Sequence, residues 1–500
     1  MKRSLYLSKS QYIRGIQCHK SLFLYKHHKE LRDEISATQQ AIFSSGTDIG
    51  VLAQNLFPGG VEVPYEGLSI AEQLKMTGYM IAKGVRTIYE ASFEHDGLFV
   101  KVDILHRGDK GWELYEVKSS TAVKAVNYHD IALQYYVLAG AGIKIKKSCL
   151  VHINNQYVRN GKIEIDKLFA INDLTVDVVG MQQDVANNIS SMRSMIEGDM
   201  PLVDIGPHCS DPYDCDFRGH CWQHIPENSV FDLRGRGIDK FAYYNRGQIA
   251  FADLPLDELN DSQRFQVEMH LNQDEQVDTD GIQEFLGNLW YPLCHFDFET
   301  FMSPVPLHDG MRPYQQIPFQ YSLHIQRQEG GAVEHYEFLA EPNVDPRPDL
   351  IKAMLEQIPK DSCVLTFNMA FEKTRIKEMS QDFPEHAEDL NHIHDRVMDL
   401  IVPFRKRYAY RWQQYGSNSI KNVLPAFVPD MSYKDLEISN GGMAMDAYHL
   451  MCSETDPIKL ELLRCNLLKY CKRDTEAMVK IHQVLVEMVF TWKLSTGIDH

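Results

Sequence analysis

The stretch HFDFETF, His295 to Phe301, decides how the rest of the chain is read. Its aromatic residues predict the end of a buried strand, yet Asp297 and Glu299 stand on alternate positions within it. Side chains at i and i+2 leave a strand on the same face, so the two acids point together while Phe296 and Phe298 point the other way. Like charges side by side on a buried strand are costly unless a cation offsets them. Two divalent ions held roughly 4 Å apart by such acids would stabilise both the attacking and the leaving oxygen of a phosphodiester, provided further carboxylates converge from elsewhere.

The chain supplies two further elements with suitable acids. SCVLTFNMAFEKTRIKEM predicts a strand running into a helix, with Asn368 at the turn and Glu372 on the first helical turn. LLKYCKRDTEAMVKIHQVL predicts an amphipathic helix with Tyr470 and Asp474 at i and i+4, on one face. Taken singly, Asp474 or Tyr470 reads most often as a surface helix residue, and a lone DFE is a weak signal. The order DFET, FNMAFE, YCKRD resembles the DEDD exonucleases of the RNase H-like fold, in the subgroup whose third motif is Tyr-x-x-x-Asp. That resemblance implies that Asp297, Glu299, Glu372 and Asp474 are ligands for Mg or Mn and that Tyr470 positions the attacking water. One departure is plain: the second motif usually ends in Asp, and Glu372 adds a methylene while keeping the charge. Between the motifs, VPFRKRYAYRWQQYG interleaves Arg405, Lys406, Arg407 and Arg411 with Tyr408, Tyr410 and Trp412, cationic and stacking groups that suit a nucleic-acid strand. A solvated basic turn beside core aromatics accounts for the same residues. Asp399, in VMDLIVPF, is a further polar group whose role the sequence leaves open.

A second constellation lies near the start. GLFVKVDILHRGDKGWELYEVKSST predicts two strands joined by RGDKG, with Asp103 on the first and Glu116 and Lys118 on one face of the second. A carboxylate pair beside an ammonium suits a hard divalent cation with a group to orient or deprotonate a water. Glu-x-Lys alone reads as a surface ion pair. With Gln134, Tyr135 and Tyr136 on the following helix, the set resembles the RecB-like branch of the PD-(D/E)XK nucleases. The resemblance implies Mg or Mn on Asp103 and Glu116, Lys118 assisting the water, Gln134 and Tyr135 facing the site, and Glu90 as an accompanying upstream acid. Where that branch often has a histidine in an early helix, this chain has Gly50.

The ten cysteines are unevenly placed, with Cys209, Cys215 and Cys221 in the loop HCSDPYDCDFRGHCW. Three thiolates want a fourth, and Cys18 in YIRGIQCHK is the candidate. One cysteine before the nuclease core and three after it resembles the iron-sulfur RecB-like nucleases, in which a 4Fe-4S cluster staples the ends of the domain. A structural zinc, with His208, His220 or His224 as possible ligands, is the alternative.

Five hundred residues with 44% hydrophobic content predict two or three folded domains. We read an α/β chain: a RecB-like nuclease domain over 1–225, a helical connector over 226–288, and an RNase H-like domain over 289–500. The net charge of -18 excludes a general polyanion binder and confines any nucleic-acid surface to local basic grooves. No window suits a membrane span or secretory signal, so a cytoplasmic location without a membrane partner is expected. Together the resemblances imply a metal-dependent nuclease with two sites, acting on DNA as single strands or ends. Repair and defence against foreign DNA both fit. A binding or assembly protein with one or both sites degenerate, and an RNA-processing exonuclease, are the alternatives.

Overall fold

The computed structural model describes residues 6–34 and 48–496 and falls into two compact units. The first comprises residues 1–224 together with 303–314; the second comprises 225–302 and 315–500. The division near residue 225 follows the composition change in the sequence. The segment read as a connector does not stand alone: it groups with the second unit, where Val230, Leu233, Phe251, Leu259 and Val267 form a small core of their own.

The first unit is built on a seven-stranded sheet, with the main path β2 (Val61–Glu62), β3 (Thr87–His95), β4 (Leu98–Gly108), β5 (Gly111–Lys118), β6 (Ile145–Ile153) and β7 (Phe169–Asp173). The short β1 (Leu7–Ser8) pairs with β4 in parallel. Asp96 and Gly97, both at positive φ (51° and 66°), make the tight β3–β4 turn that the Asp-Gly pair favours. The expected turn joins β4 to β5, closing at the Gly108–Gly111 pair. The chain then crosses to the parallel β6 through the helix Ala125–Gly140. That helix buries Ile131, Leu133, Val137 and Leu138 in the main core. Its Asp130 and Gln134 are buried too, four residues apart and therefore on one face. The 303–314 segment is tied into this unit by Gly161 N–H donating to Asp309 Oδ1 at 2.8 Å and by Arg159 Nη1 donating to the Pro306 carbonyl at 3.0 Å.

The second unit holds a five-stranded sheet in the order β11 (Val333–Leu339), β10 (Ile317–Gln326), β9 (Leu293–Phe301), β12 (Cys363–Thr366), β13 (Val397–Asp399). The β11–β10 and β10–β9 pairings are antiparallel; β9–β12 and β12–β13 are parallel. A two-stranded ribbon pairs β8 (Glu275–Val277) with β14 (Ala409–Arg411). Strand alternation sorts HFDFETF as its sequence requires. Phe296 and Phe298 pack ring against ring, centroids 4.7 Å apart, in a core with Tyr321, Leu323, Ile351 and Ile376. Asp297 and Glu299 take the opposite face, towards Tyr470 and Asp474 of the long helix Pro457–Thr496. Because β12 ends at Thr366, paired no further along β9 than His295, both acids project past it. The turn at Asn368, with φ of +74°, and the helix Ala370–Asp382 fill that gap. Among the described residues no helix is long and apolar enough to cross a membrane.

Phe296 is fully buried at the centre of this sheet, so Phe296→Ala should destabilise the second unit by about 3–5 kcal/mol. Urea unfolding followed by fluorescence would show it as a lower midpoint, and an unchanged midpoint would contradict the assigned core.

Candidate functional site

The carboxyl edge of β9 and the elements around it enclose a cavity of about 450 Å³. Asp297 and Glu299 enter it from the strand, Glu372 from the first turn of the helix Ala370–Asp382, and Tyr470 and Asp474 from the long helix. The structure therefore brings together all five residues that the sequence singled out here. Glu299 is 6%, Glu372 2% and Asp474 7% exposed, so three of the four acids are out of bulk water. Among the described residues, Asp297 and Glu299 together with the thiol of Cys471 offer ligand atoms within 4.8 Å of one another.

The electrostatics follow from burial without a matching cation. Burial first, and then the charges of Asp474, Glu372 and Glu299, hold the Asp297 carboxyl well above the ordinary carboxylate range. Glu299 is raised by burial and by Asp474, against the pull of Lys421. Burial pushes Glu372 up to about 8, and its Oε2 has no hydrogen-bond partner. Asp474 rises only to about 6, because hydrogen bonds from Tyr433 and Tyr470 and the charge of Lys421 pull against burial. An orphaned buried carboxylate oxygen among four clustered acids is the donor set that fits hard divalent ions.

Three participants escaped the sequence reading. Tyr433 donates a 2.6 Å hydrogen bond to Asp474 Oδ1 from a loop that carries no recognisable motif. Lys421, at the cavity, lies 5.7 Å from the Tyr433 ring and 5.8 Å from the Tyr470 ring. Cys471 was visible only as a neighbour of Tyr470. Asp399 now has a local role: its Oδ1 accepts the N–H groups of Asn368 at 2.9 Å and Ile401 at 3.1 Å, fixing the turn that presents Glu372.

The basic stretch is divided. Arg405 and Lys406 are exposed, the first 3.7 Å from Asp399 and the second over the Tyr408 ring. Arg407 donates to Ser262 and stacks on Phe265, Arg411 pairs with Glu275 at 3.1 Å and covers Phe427, and Tyr408 packs against Gly281. Three of the five residues are thus engaged in packing within the unit.

In the first unit, β4 brings Asp103 beside Glu116 of β5. Asp103 Oδ2 accepts the Val117 N–H at 2.6 Å, and Glu116 is 1% exposed. Lys118 donates to Glu116 Oε1 at 2.5 Å and pairs with Asp130 at 2.7 Å, while Gln134 donates to Glu116 Oε2 at 2.6 Å. Lys9, from the helix Lys9–Gln17, reaches the same Glu116 oxygen at 2.7 Å. Neither Lys9 nor Asp130 was picked out from sequence; Asp130 had a signal, one turn before Gln134, and Lys9 had none. Tyr135 lies one residue round the helix, partly buried against the core. Glu90 sits at φ +54° where the β3–β4 register skips, and pairs with Lys101 at 3.6 Å. Burial and the Glu116 charge push Asp103 up to about 8. Burial opposes ionisation of Glu116 as well, but the ammoniums of Lys118 and Lys9 overcome it and hold its carboxyl below the ordinary range.

Cys18, Cys209, Cys215 and Cys221 line one small pocket, so the fourth cysteine inferred from sequence does join the three. All four are free thiols. Protein contacts already hold the segment: Asp216 takes Arg14 and Arg32, and Gln17 Nε2 donates to the carbonyls of His208 at 2.7 Å and Tyr213 at 2.6 Å. A soft donor set of four thiols fits either an iron-sulfur cluster or zinc.

The comparisons give similarity without function. A family model described as a domain of unknown function, DUF2779, matches residues 294–419, which takes in Asp297, Glu299 and Glu372 and stops before Tyr470 and Asp474. The chain is similar to the uncharacterized protein MG366 of Mycoplasma genitalium, 26% identical over 40% of this chain and 34% of that protein. It is also similar to the uncharacterized protein UU173 of Ureaplasma parvum, 23% identical over 39% of this chain and 31% of that one. The matched region spans about a third of the length of these relatives. No solved structure matches.

The four cavity acids of the second unit bind more protons folded than unfolded, so their contribution to stability is present at low pH. It is lost as pH rises from the ordinary carboxyl range through about 6 for Asp474 and about 8 for Glu372. In EDTA the melting temperature of this unit should fall between roughly pH 5 and 8, and Glu372→Gln should flatten the slope. A melting temperature that rises over that window would contradict the assigned burial.

Proposed function

We propose that the chain is a divalent-metal-dependent nuclease with two separate hydrolytic sites, acting on nucleic acid and preferentially on DNA as single strands or ends. The observation that carries this reading is the convergence of Asp297, Glu299, Glu372 and Asp474 in one cavity, largely buried and short of positive charge. Supporting it, the sheet continues a three-stranded antiparallel meander with two parallel strands in the order third, second, first, fourth, fifth, as an RNase H-like domain calls for. Bound there, Mg or Mn would neutralise the phosphodiester and lower the pKa of a water. The chain's own residues hold the remaining geometry. Tyr433 and Tyr470 fix the Asp474 carboxylate, Asp399 fixes the turn before Glu372, and Lys421 sets a positive charge beside the cavity for an incoming phosphate.

In the first unit Asp103, Glu116 and Lys118 are proposed as the PD-(D/E)XK site, with Gln134 orienting Glu116. The four cysteines are proposed as ligands of a 4Fe-4S cluster, with zinc the alternative. A second reading, nucleic-acid binding without cleavage at this site, draws on the saturation of Glu116 by two ammoniums and an amide.

Purified protein should degrade labelled DNA in Mg or Mn and lose that activity in EDTA. Asp297→Ala and Asp103→Ala should each remove one component of it, by roughly a hundredfold or more. Single- and double-stranded DNA and RNA assayed side by side identify the substrate. Absence of divalent-dependent cleavage on all four would overturn the nuclease reading, and loss only with Asp297→Ala would favour the binding role for the first unit.

A further inference from the structure

The ammonium of Lys9 stands in the first unit's acidic site, although Lys9 belongs to neither the β4–β5 hairpin nor the helix behind it. It lies 2.7 Å from Glu116 Oε1 and 3.3 Å from Asp130 Oδ1. Lys118 holds the same two carboxylates more closely, at 2.5 and 2.7 Å. Two ammoniums therefore bridge two carboxylates at equal side-chain exposure, 27% each, and Lys9 is the less tightly held, 3.3 Å from Asp130 where Lys118 is at 2.7 Å. A lysine is a compact charge on a flexible stem, and a phosphate oxygen arriving at this face can take its ammonium without disturbing the Lys118 pair.

What places Lys9 there is the other end of its helix. Lys9 is the first residue of the nine-residue helix Lys9–Gln17, about 13 Å long at about 1.5 Å per residue. Cys18 is the residue that ends it, its N–H donating to the Arg14 carbonyl at 2.8 Å, and its thiol faces the pocket shared with Cys209, Cys215 and Cys221. Arg14 grips Asp216, beside Cys215, through both terminal guanidinium nitrogens, and Gln17 donates to carbonyls on either side of Cys209. Gly15 allows the close approach of the neighbouring helices: a Cβ there would lie 2.6 Å from Met192 and 2.9 Å from Leu22. The helix is thus a strut, anchored at the cysteine segment and delivering an ammonium at its far end.

We propose that Lys9 is a phosphate-binding residue of the first unit's site, and that the cysteine-bearing segment sets its position through the helix Lys9–Gln17. This rests on the nuclease reading above. It adds a second working lysine that the motif does not contain, and it gives the cysteine segment a bearing on the site beyond holding the termini.

The test uses the full chain and a fluorescein-labelled single-stranded DNA oligonucleotide, with anisotropy read without added divalent ion and cleavage read in Mn. Lys9→Met should weaken binding about tenfold, the scale of one charge-assisted hydrogen bond, and lower the slope of log affinity against log salt by about one. Lys9→Arg should restore most of both. Asp216→Asn, which removes the charge that pairs with Arg14 and Arg32 at almost unchanged size, should weaken binding comparably, and the double variant should be no worse than the weaker single one. Wild-type-like binding by Lys9→Met in a chain that cleaves DNA would overturn this proposal and leave the nuclease reading standing. Failure of Lys9→Arg to rescue, with a lowered melting temperature in both variants, would show a purely structural lysine and overturn it also. Additive effects in the double variant, or unchanged binding by Asp216→Asn, would overturn the coupling to the cysteine segment. A wild-type chain that does not cleave in Mg or Mn would sink both.

Discussion

The burial of four carboxyl groups, Asp297, Glu299, Glu372 and Asp474, in one cavity is the constraint around which the second unit's site is arranged. Burial raises all four, and the charges of their neighbours in the cluster add to the rise of Asp297 and Glu299. A folded chain tolerates such a cluster only by keeping protons on it or by placing cations against it. The surrounding elements are arranged around that demand. β12 stops short so that β9 can present its acids, Asn368 takes a left-handed turn so that Glu372 can face them, and two phenols hold Asp474.

The first unit resolves the same problem differently. Its central carboxylate, Glu116, is neutralised from within by Lys9 and Lys118 and oriented by Gln134, so this site is close to charge balance as it stands. Asp103, whose partner is a backbone N–H, and Glu90 remain raised, both chiefly by burial. The two units thus carry acidic sites of opposite character: one short of positive charge, the other supplied with it. That contrast predicts different dependence on added cations, with the second site the more demanding.

Much of this was legible in the residues because strand and helix periodicities are local. Alternation placed Asp297 with Glu299 and Glu116 with Lys118, and i, i+4 spacing placed Tyr470 with Asp474. The Asp103 strand was placed by the turn chemistry of the next hairpin, and Cys18 by the need for a fourth thiolate. What escaped was non-local. Lys9 lies 107 positions from Glu116 and Tyr433 lies 41 from Asp474, and neither belongs to a pattern that periodicity can recognise. The basic stretch shows the converse: composition suggested a strand-tracking surface, but Arg407 and Arg411 cover Phe265 and Phe427, because guanidinium planes pack on aromatic faces as readily as they bind phosphate. The 226–288 segment, read as a helical connector, groups with the second unit, because its apolar residues form a small core that polar, Gly-punctuated sequence does not announce.

The central claim, that four carboxylates in the second unit form a divalent-metal site, is tested most directly by Mn binding measured by electron paramagnetic resonance. The full chain at alkaline pH should bind Mn, Asp297→Asn should abolish the tighter population, and Asp103→Asn should spare it. Mn binding unchanged by Asp297→Asn, or no Mn bound at all, would contradict it.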